Sequence, residues 1–336
     1  MKLLFELSKE HPSLPKDEIL SCLNAEEIVY SIVDANENSL LIESKVNRDA
    51  MQKLAQRLSF TFHIDELLFS CSNSPNEIKR YASKHLITGD GTIAIRWKNR
   101  SENADSQQIV ETLGEIYTKD RTVNLENPDI EMRVVITDTN VYVGLKIADV
   151  DRTLFEKRKV QYRPFFSPIS LHPKLARALV NLSSIKKGET MLDPFCGTGG
   201  IVLEAGLIGA NVIGSDIEEK MINGCKKTLE FYEVKEHRLF CSDIGDIHKF
   251  INNYVDAVVT DLPYGKSTTT KGEDIKKLYS RAFENISKVL KKGGLAVIGL
   301  SNNEMISAGE KYFTLIDTYD FKVHRSMTRY FAAYKK

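Results

Sequence analysis

The chain has 336 residues, 46 Lys and Arg against 46 Asp and Glu, five cysteines, one tryptophan and 42% hydrophobic residues. That length suits about two domains of ~100–200 residues each, and the composition excludes a disordered or collagen-like chain. No apolar run approaches the ~18 residues of a membrane-spanning helix. The opening Met1-Lys2-Leu3-Leu4-Phe5-Glu6 meets an acid at once, unlike the apolar core of a signal peptide. Cys22, Cys71, Cys196, Cys225 and Cys241 are odd in number and scattered, with no Cys-x-x-Cys pair. A disulfide framework or structural zinc site is therefore not expected, and a reducing cytoplasm is. Zero net charge leaves any nucleic-acid footprint to be local.

Residues 1–150 mix short apolar stretches with polar turns. Strands are expected at 5–7, 28–33, 40–43, 93–97, 134–137 and 141–145, and helices at 15–23 and 48–58. The latter helix places Met51, Leu54, Ala55 and Leu58 on one face. Asp138-Thr139-Asn140 suits a hairpin turn, because Asp and Asn tolerate positive φ. This half reads as an α+β region of two small units joined near residue 70. Residues 151–187 then carry nine basic residues (Arg152, Lys157, Arg158, Lys159, Arg163, Lys174, Arg177, Lys186 and Lys187) against Asp151 and Glu156. This is either a solvated linker or a local basic footprint.

From about 188 the rhythm becomes a strand–helix alternation. Strands are expected at 190–193, 211–216, 238–242, 255–261 and 294–300, and helices at 199–208, 217–232 and 274–290. Such alternation predicts a parallel sheet covered by helices. Runs 311–317 and 320–335 would add an antiparallel edge hairpin.

Three acids stand at successive strand ends. Asp193 opens Asp193-Pro194-Phe195-Cys196-Gly197-Thr198-Gly199-Gly200, whose glycines permit a sharp turn at a helix head. Val202 replaces the third glycine of a dinucleotide fingerprint, and no Gly-Lys-Ser/Thr follows. A carboxylate here repels a pyrophosphate but pairs with an ammonium or sulfonium. Asp216, 19 positions after Gly197, is placed to accept from a ribose diol. Asp243 follows the next strand, where it could accept from an adenine amino group. Each also reads as an ordinary strand-end or helix-cap residue.

After the strand at 255–260 comes Asp261-Leu262-Pro263-Tyr264-Gly265. A proline-stiffened turn there offers an aromatic face and outward carbonyls to a flat base bearing an amino group. Tyr264 stacks on the base, while the Asp261 carboxylate and the Leu262 carbonyl accept its N–H groups. An ordinary β-turn is the bland alternative. Cys196, inside the Gly-rich turn, reads as a packing residue rather than a nucleophile. His172 packs or caps, and Trp97 either stacks on RNA or fills the core.

The Gly-rich turn followed by Asp-x-Pro-Tyr resembles the S-adenosylmethionine-dependent amino-methyltransferases of adenine, cytosine or guanine N2. Arg163-Pro164-Phe165-Phe166-Ser167-Pro168 resembles their segment over the methionine part of the cofactor. Asn127-Pro128-Asp129-Ile130-Glu131-Met132-Arg133, continuing through Val141-Tyr142-Val143-Gly144-Leu145, resembles the end of a THUMP domain, an RNA-binding module. Together these are similar to the archaeal tRNA guanine-N2 methyltransferases acting at position 10. Leu262 departs from a proline found in many relatives.

The resemblance implies an α/β, Rossmann-like methyltransferase fold with a C-terminal antiparallel hairpin, preceded by an α+β ferredoxin-like and THUMP region. It divides the chain into a ferredoxin-like region at 1–70, a THUMP domain at 71–150, the basic linker and cofactor-covering segment at 151–187, and the methyltransferase domain at 188–336. S-adenosylmethionine would contact Phe166, Ser167, Pro168, Asp193, Phe195, Gly197, Thr198, Gly199, Asp216, Ile217, Asp243, Ile244 and Asp261. Asp261, Leu262, Pro263 and Tyr264 would serve catalysis, and no metal is needed beside a sulfonium. Arg96, Lys98, Arg133, Lys157, Arg158, Lys159, Arg163 and Lys266 would contact tRNA. A monomer or weak homodimer is expected, with no membrane association, as is a small zinc-containing activator protein. Three rivals share parts of this pattern: an N2-guanine methyltransferase for another tRNA or rRNA position, a DNA amino-methyltransferase, and a non-catalytic tRNA-binding protein.

Overall fold

The computed structural model describes residues 1–167, 170–264, 272–324 and 327–336. Two compact units emerge. The first comprises Met1–Pro12, Ile28–Gln56 and Phe60–Asp151, and the second Ser13–Glu27, Arg57–Ser59 and Arg152–Lys336.

The first unit contains β1 (Lys2–Leu7), and the second claims α1 (Leu14–Ala25). The first then continues with β2 (Tyr30–Ala35), β3 (Ser39–Ser44), α2 (Arg48–Arg57), β4 (Thr61–Ser72), α3 (Pro75–Ala82), β5 (Ile93–Asn99), α4 (Ser106–Tyr117), β6 (Ile130–Ile136) and β7 (Asn140–Asp149). Its strands form one seven-stranded sheet in the order β2-β3-β1-β4-β7-β6-β5. The expected junction near residue 70 is absent, because β4 runs through it and pairs with both β1 and β7. Polar residues hide β4 in the sequence: His63, Asp65 and Glu66 interrupt its apolar pattern, and its ladder with β7 shifts register at Ile64/Asp65 and Leu67/Phe69. The buried Asp65 packs against Gly144 of β7, where a Cβ would stand 2.9 Å from the Asp65 Cβ. Helix α4 begins at Asp105, whose carboxylate accepts from the Gln108 amide, and it buries Ile109, Leu113 and Tyr117 at four-residue spacing.

The second unit adds α5 (Thr153–Lys157), α6 (Pro173–Leu182), β8 (Thr190–Asp193), α7 (Gly200–Leu207), β9 (Asn211–Asp216), α8 (Glu219–Phe231), β10 (His237–Cys241), β11 (Val255–Asp261), α9 (Ile275–Val289), β12 (Leu290–Leu300), α10 (Ile306–Glu310), β13 (Thr314–His324) and β14 (Met327–Lys335). The sheet order is β10-β9-β8-β11-β12-β14-β13. Strands β8 to β12 pair in parallel, and β14 joins β12 antiparallel. The tail is the expected hairpin with a different division: β13 runs on through residues 318–324. Chain order reverses between β8 and β11, so their carboxyl ends flank the crevice where open α/β sheets bind ligands.

Residues 151–187 are not a solvated linker. Arg158 is bidentate to the fully buried Glu204 of α7 at 2.9 and 3.0 Å, and Arg177 adds a contact at 2.8 Å. Removing one member would strand charge in the interior. His172 caps α6, its Nδ1 accepting from the Lys174 amide. Asn181 of α6 donates to Glu18 of α1 at 2.7 Å and accepts from Arg57 at 2.9 Å, which ties the early helix into this unit.

Candidate active site

The sharp turn after β8 is made by two glycines. Gly197 has φ +50° and Gly199 φ +86°, and a Cβ on Gly199 would stand 2.7 Å from Cys225 Sγ. Both conformations disfavour other residues. The Gly197 amide donates to Asp216 Oδ2 at 3.1 Å, which fastens the turn to the end of β9. Asp216 also accepts from the Glu218 amide at 2.9 Å. Asp193 is 1% exposed, accepts from the Phe195 amide at 3.1 Å and receives the Thr260 hydroxyl at 2.6 Å. Burial pushes its carboxyl up to about 7, against those hydrogen bonds.

One cavity gathers most of the expected cofactor residues: Ser167, Asp193, Phe195, Gly197, Thr198, and the pairs Asp216–Ile217 and Asp243–Ile244. Asp261, Leu262, Pro263 and Tyr264 line the same cavity. Gly199 shapes the turn without lining the cavity. Phe166 is not in the lining either and is 60% exposed; instead Phe165 packs on Gly224 of α8, where no side chain would fit. Pro168 and Lys266 lie outside the described residues.

The turn after β11 is held from three sides. Leu262 is buried in the core, and its amide donates to the Gly299 carbonyl at 3.0 Å. The Tyr279 hydroxyl donates to the Pro263 carbonyl at 3.0 Å. The Tyr264 hydroxyl donates to Asp261 Oδ1, and Arg329 Nη1 lies 3.4 Å from Asp261 Oδ2. Burial raises the Asp261 carboxyl above its ordinary range, opposed by Arg329 and the Tyr264 hydrogen bond.

Three acids with raised carboxyls therefore face one cavity, an arrangement that favours a cationic ligand. A nucleoside carrying a sulfonium and an ammonium fits it. Asp243 is engaged more heavily than its strand-end position suggests. It accepts from the Gly245 amide at 2.8 Å and pairs with Arg281 at 2.8 and 3.1 Å. Arg281 bonds Glu273 as well, another cavity residue.

Sequence reasoning missed Thr260, Glu273, Arg281 and Arg329. Thr260 could have been found, since it directly precedes Asp261 on the strand. The two arginines reach the acids from distant segments and carry no local signal. Cys196 is buried, and Cys225 beside it, with burial second, raises its thiol well above the ordinary range, as suits an inert packing group.

The expected RNA contacts divide. Lys98 and Lys157 are exposed, and the Arg96 side chain is 42% exposed. Lys159 pairs with Glu156. Arg133, by contrast, is enclosed by Glu131 and Glu6, Arg158 is committed to Glu204, and Arg163 is 5% exposed. Those three are structural cations, because their guanidiniums serve buried acids or lie beneath the surface. Trp97 is 52% exposed, so it does not fill the core. Among the described residues no cluster of ligating side chains suits a metal, and no helix is long and apolar enough to cross a membrane.

A family model described as RMKL-like, methyltransferase domain, matches residues 160–330, a span holding both the Gly-rich turn and the Asp261–Tyr264 turn. A second, described as DNA methylase, matches residues 44–227 and ends before the latter turn. The tRNA (guanine(10)-N2)-dimethyltransferase of Methanothermobacter thermautotrophicus is 32% identical over 333 residues, covering 98% of each chain. Among solved structures, TrmN from Thermus thermophilus aligns over 100% of both chains with TM-score 0.59 at 21% identity. The SMU.472 protein complexed with SAH aligns over 99% of this chain and 97% of its own, with TM-score 0.54 at 13% identity. Both share the fold. Full-length similarity at this level, with the cofactor turn and the Pro-Tyr turn facing one cavity, places the chain in the family of tRNA (guanine(10)-N2)-dimethyltransferases.

Proposed function

We propose that this protein transfers methyl groups from S-adenosylmethionine to the exocyclic N2 of a guanosine in tRNA, at position 10, once and then a second time. The observation that carries this reading is the shared cavity, which Asp193, Asp216, Asp261 and Tyr264 line together.

S-adenosylmethionine supplies, when bound, an electrophilic methyl group on a cationic sulfur. Asp193 and Asp261, whose carboxyls are largely buried, favour that positive charge. Asp216 accepts from the ribose hydroxyls and Asp243 from the adenine amine, with Arg281 holding the latter carboxylate in place. The guanine amine is a weak nucleophile, because its lone pair is delocalised into the ring. Asp261 accepts one N2–H and the Leu262 carbonyl the other, which orients the lone pair, and Tyr264 stacks on the base. Positioning of this kind can supply ~7–11 kcal/mol of a barrier. Asp261 then takes the proton that the nitrogen loses.

The base has to leave its stack, at a cost of a few kcal/mol. Phosphate contacts from Lys98, Arg96, Lys157 and Lys159 offset this and fix register. Arg96, Trp97 and Lys98 lie on β5, the edge strand of the first sheet, which supports reading that unit as a THUMP-type RNA-binding module. The same reading puts the work in the cytoplasm, in keeping with five unbridged cysteines.

Tritiated methyl transfer to tRNA and to duplex DNA, followed by mass spectrometry of digested tRNA, tests the proposal. Dimethylguanosine at position 10 is expected. Label appearing in DNA alone, or on another tRNA nucleotide, would overturn the corresponding part of it.

A further inference from the structure

Arg329 sits on β14, far along the chain from the Asp261–Tyr264 turn, and is 8% exposed. Its place follows from the sheet. Asp261 is the register partner of Gly299 on β12, and Gly299 is the partner of Phe331 on β14. An arginine two residues before Phe331 points to the same face of β14 as Phe331 itself. Arg329 Nη1 lies 3.4 Å from Asp261 Oδ2, and its guanidinium carbon is 5.3 Å from the centre of the Tyr264 ring. Its Nε is buried without a hydrogen-bond partner among the described residues.

Asp261 thus has one oxygen on the Tyr264 hydroxyl and the other beside Arg329. The Tyr264 hydroxyl competes with the amine of a base for one oxygen of this carboxylate. Once that hydroxyl leaves, the remaining neighbours offer the carboxylate little. Asp193 at the end of β8 repels it, Tyr279 of α9 is neutral and already donates to the Pro263 carbonyl, and Gly299 of β12 has no side chain. Arg329 is then the cation that remains beside it among the described residues.

We propose that Arg329 is a positioning residue for methyl transfer, keeping the Asp261 carboxylate paired and oriented to receive the base amine when the Tyr264 hydroxyl gives way. The inference rests on the function proposed above. Its contact with Tyr264 adds a second role, since a cation under the ring supports the face on which a base would stack. Loss of the guanidinium leaves a buried carboxyl that burial drives toward its protonated form, a weaker acceptor that cannot take up the amine's proton.

The test uses the full chain with R329M, R329Q and R329K, measuring kcat and KM for tRNA from pH 5.5 to 9 and the Kd for S-adenosylmethionine by calorimetry. The neutral variants are expected to keep cofactor affinity within about 3-fold. Their kcat at pH 7 should fall ~10–100-fold, with the acid limb of the profile displaced upward by ~1–2 pH units. R329K should recover most of the rate and return the limb toward its original position. An unchanged limb in a neutral variant that binds cofactor overturns the proposal, as does equal loss in R329K. Failure of both neutral variants to bind S-adenosylmethionine makes the role a structural one and also overturns it. A wild-type protein that binds cofactor but leaves tRNA unmethylated is a separate outcome, which removes the functional reading itself.

Discussion

Gly299 lies beside Asp261 across the β11–β12 ladder, so close that a Cβ on Gly299 would collide with Asp261 Oδ1 and stand 3.0 Å from the Phe331 ring. The absent side chain is what lets the carboxylate sit where it does. G299A should push Asp261 away from the amine site, and displacement by about 1 Å can lower a rate ~100-fold. Single-turnover methyl transfer should therefore drop by about that factor, with calorimetric S-adenosylmethionine affinity nearly unchanged. Normal turnover in G299A would show that the position of Asp261 does not limit the reaction.

Asp216 joins the Gly-rich turn to the ribose site through the Gly197 amide. D216A removes an ionised acceptor, and hydrogen bonds to charged groups contribute roughly 1.5–3 kcal/mol. Cofactor binding should weaken at least ~10-fold at the lower end of that range, with tRNA affinity, read by filter binding, within a few-fold of wild type. Equal losses for both ligands would argue for collapse of the whole site.

The Asp193 carboxyl, raised to about 7 by burial, gives cofactor binding a pH dependence. A cationic ligand prefers the ionised acid, so affinity should rise with pH up to about 7 and level off above it. A single linked proton allows at most ~10-fold per pH unit on the rising limb. Calorimetry in buffers of different ionisation enthalpy should register proton release on binding below pH 7. D193N, which retains an acceptor for the Thr260 hydroxyl, should flatten the profile and weaken binding throughout. For folding the sign is reversed: the raised value withdraws stability as pH climbs from the unfolded value of 3.8 to about 7.

Asn181 is fully buried and meets Arg57 and Glu18 at once. N181A takes the acceptor from the Arg57 Nε–H and a donor from the Arg57 carbonyl, while the Glu18 oxygen keeps the Ser59 amide and hydroxyl, at a cost of about 1–3 kcal/mol. At ~2–4 °C per kcal/mol for a unit of this size, the melting temperature should fall visibly in calorimetry. An unchanged melting temperature would mean that water replaces these contacts.

What the sequence by itself determined lies where neighbours in the chain are also neighbours in space. Asp193 and its Gly-rich turn, Asp216, and the Asp261–Tyr264 turn all stand at strand ends, so strand order and turn chemistry reveal them locally. The parallel rhythm after residue 188 is legible for the same reason, since buried strands read as apolar runs. Only the tertiary structure decided the rest. Strand β4 carries His63, Asp65 and Glu66 in its middle, and the buried Asp65 sits where the missing side chain of Gly144 leaves it room. The basic run from 151 to 187 reads as solvent-facing until Glu204 accounts for Arg158 and Arg177. Arg281 and Arg329 are ordinary cations in the sequence, and they become part of the site because α9 and β14 bring them to Asp243 and Asp261. A charge acquires its role from its partner and its burial, and folding sets both.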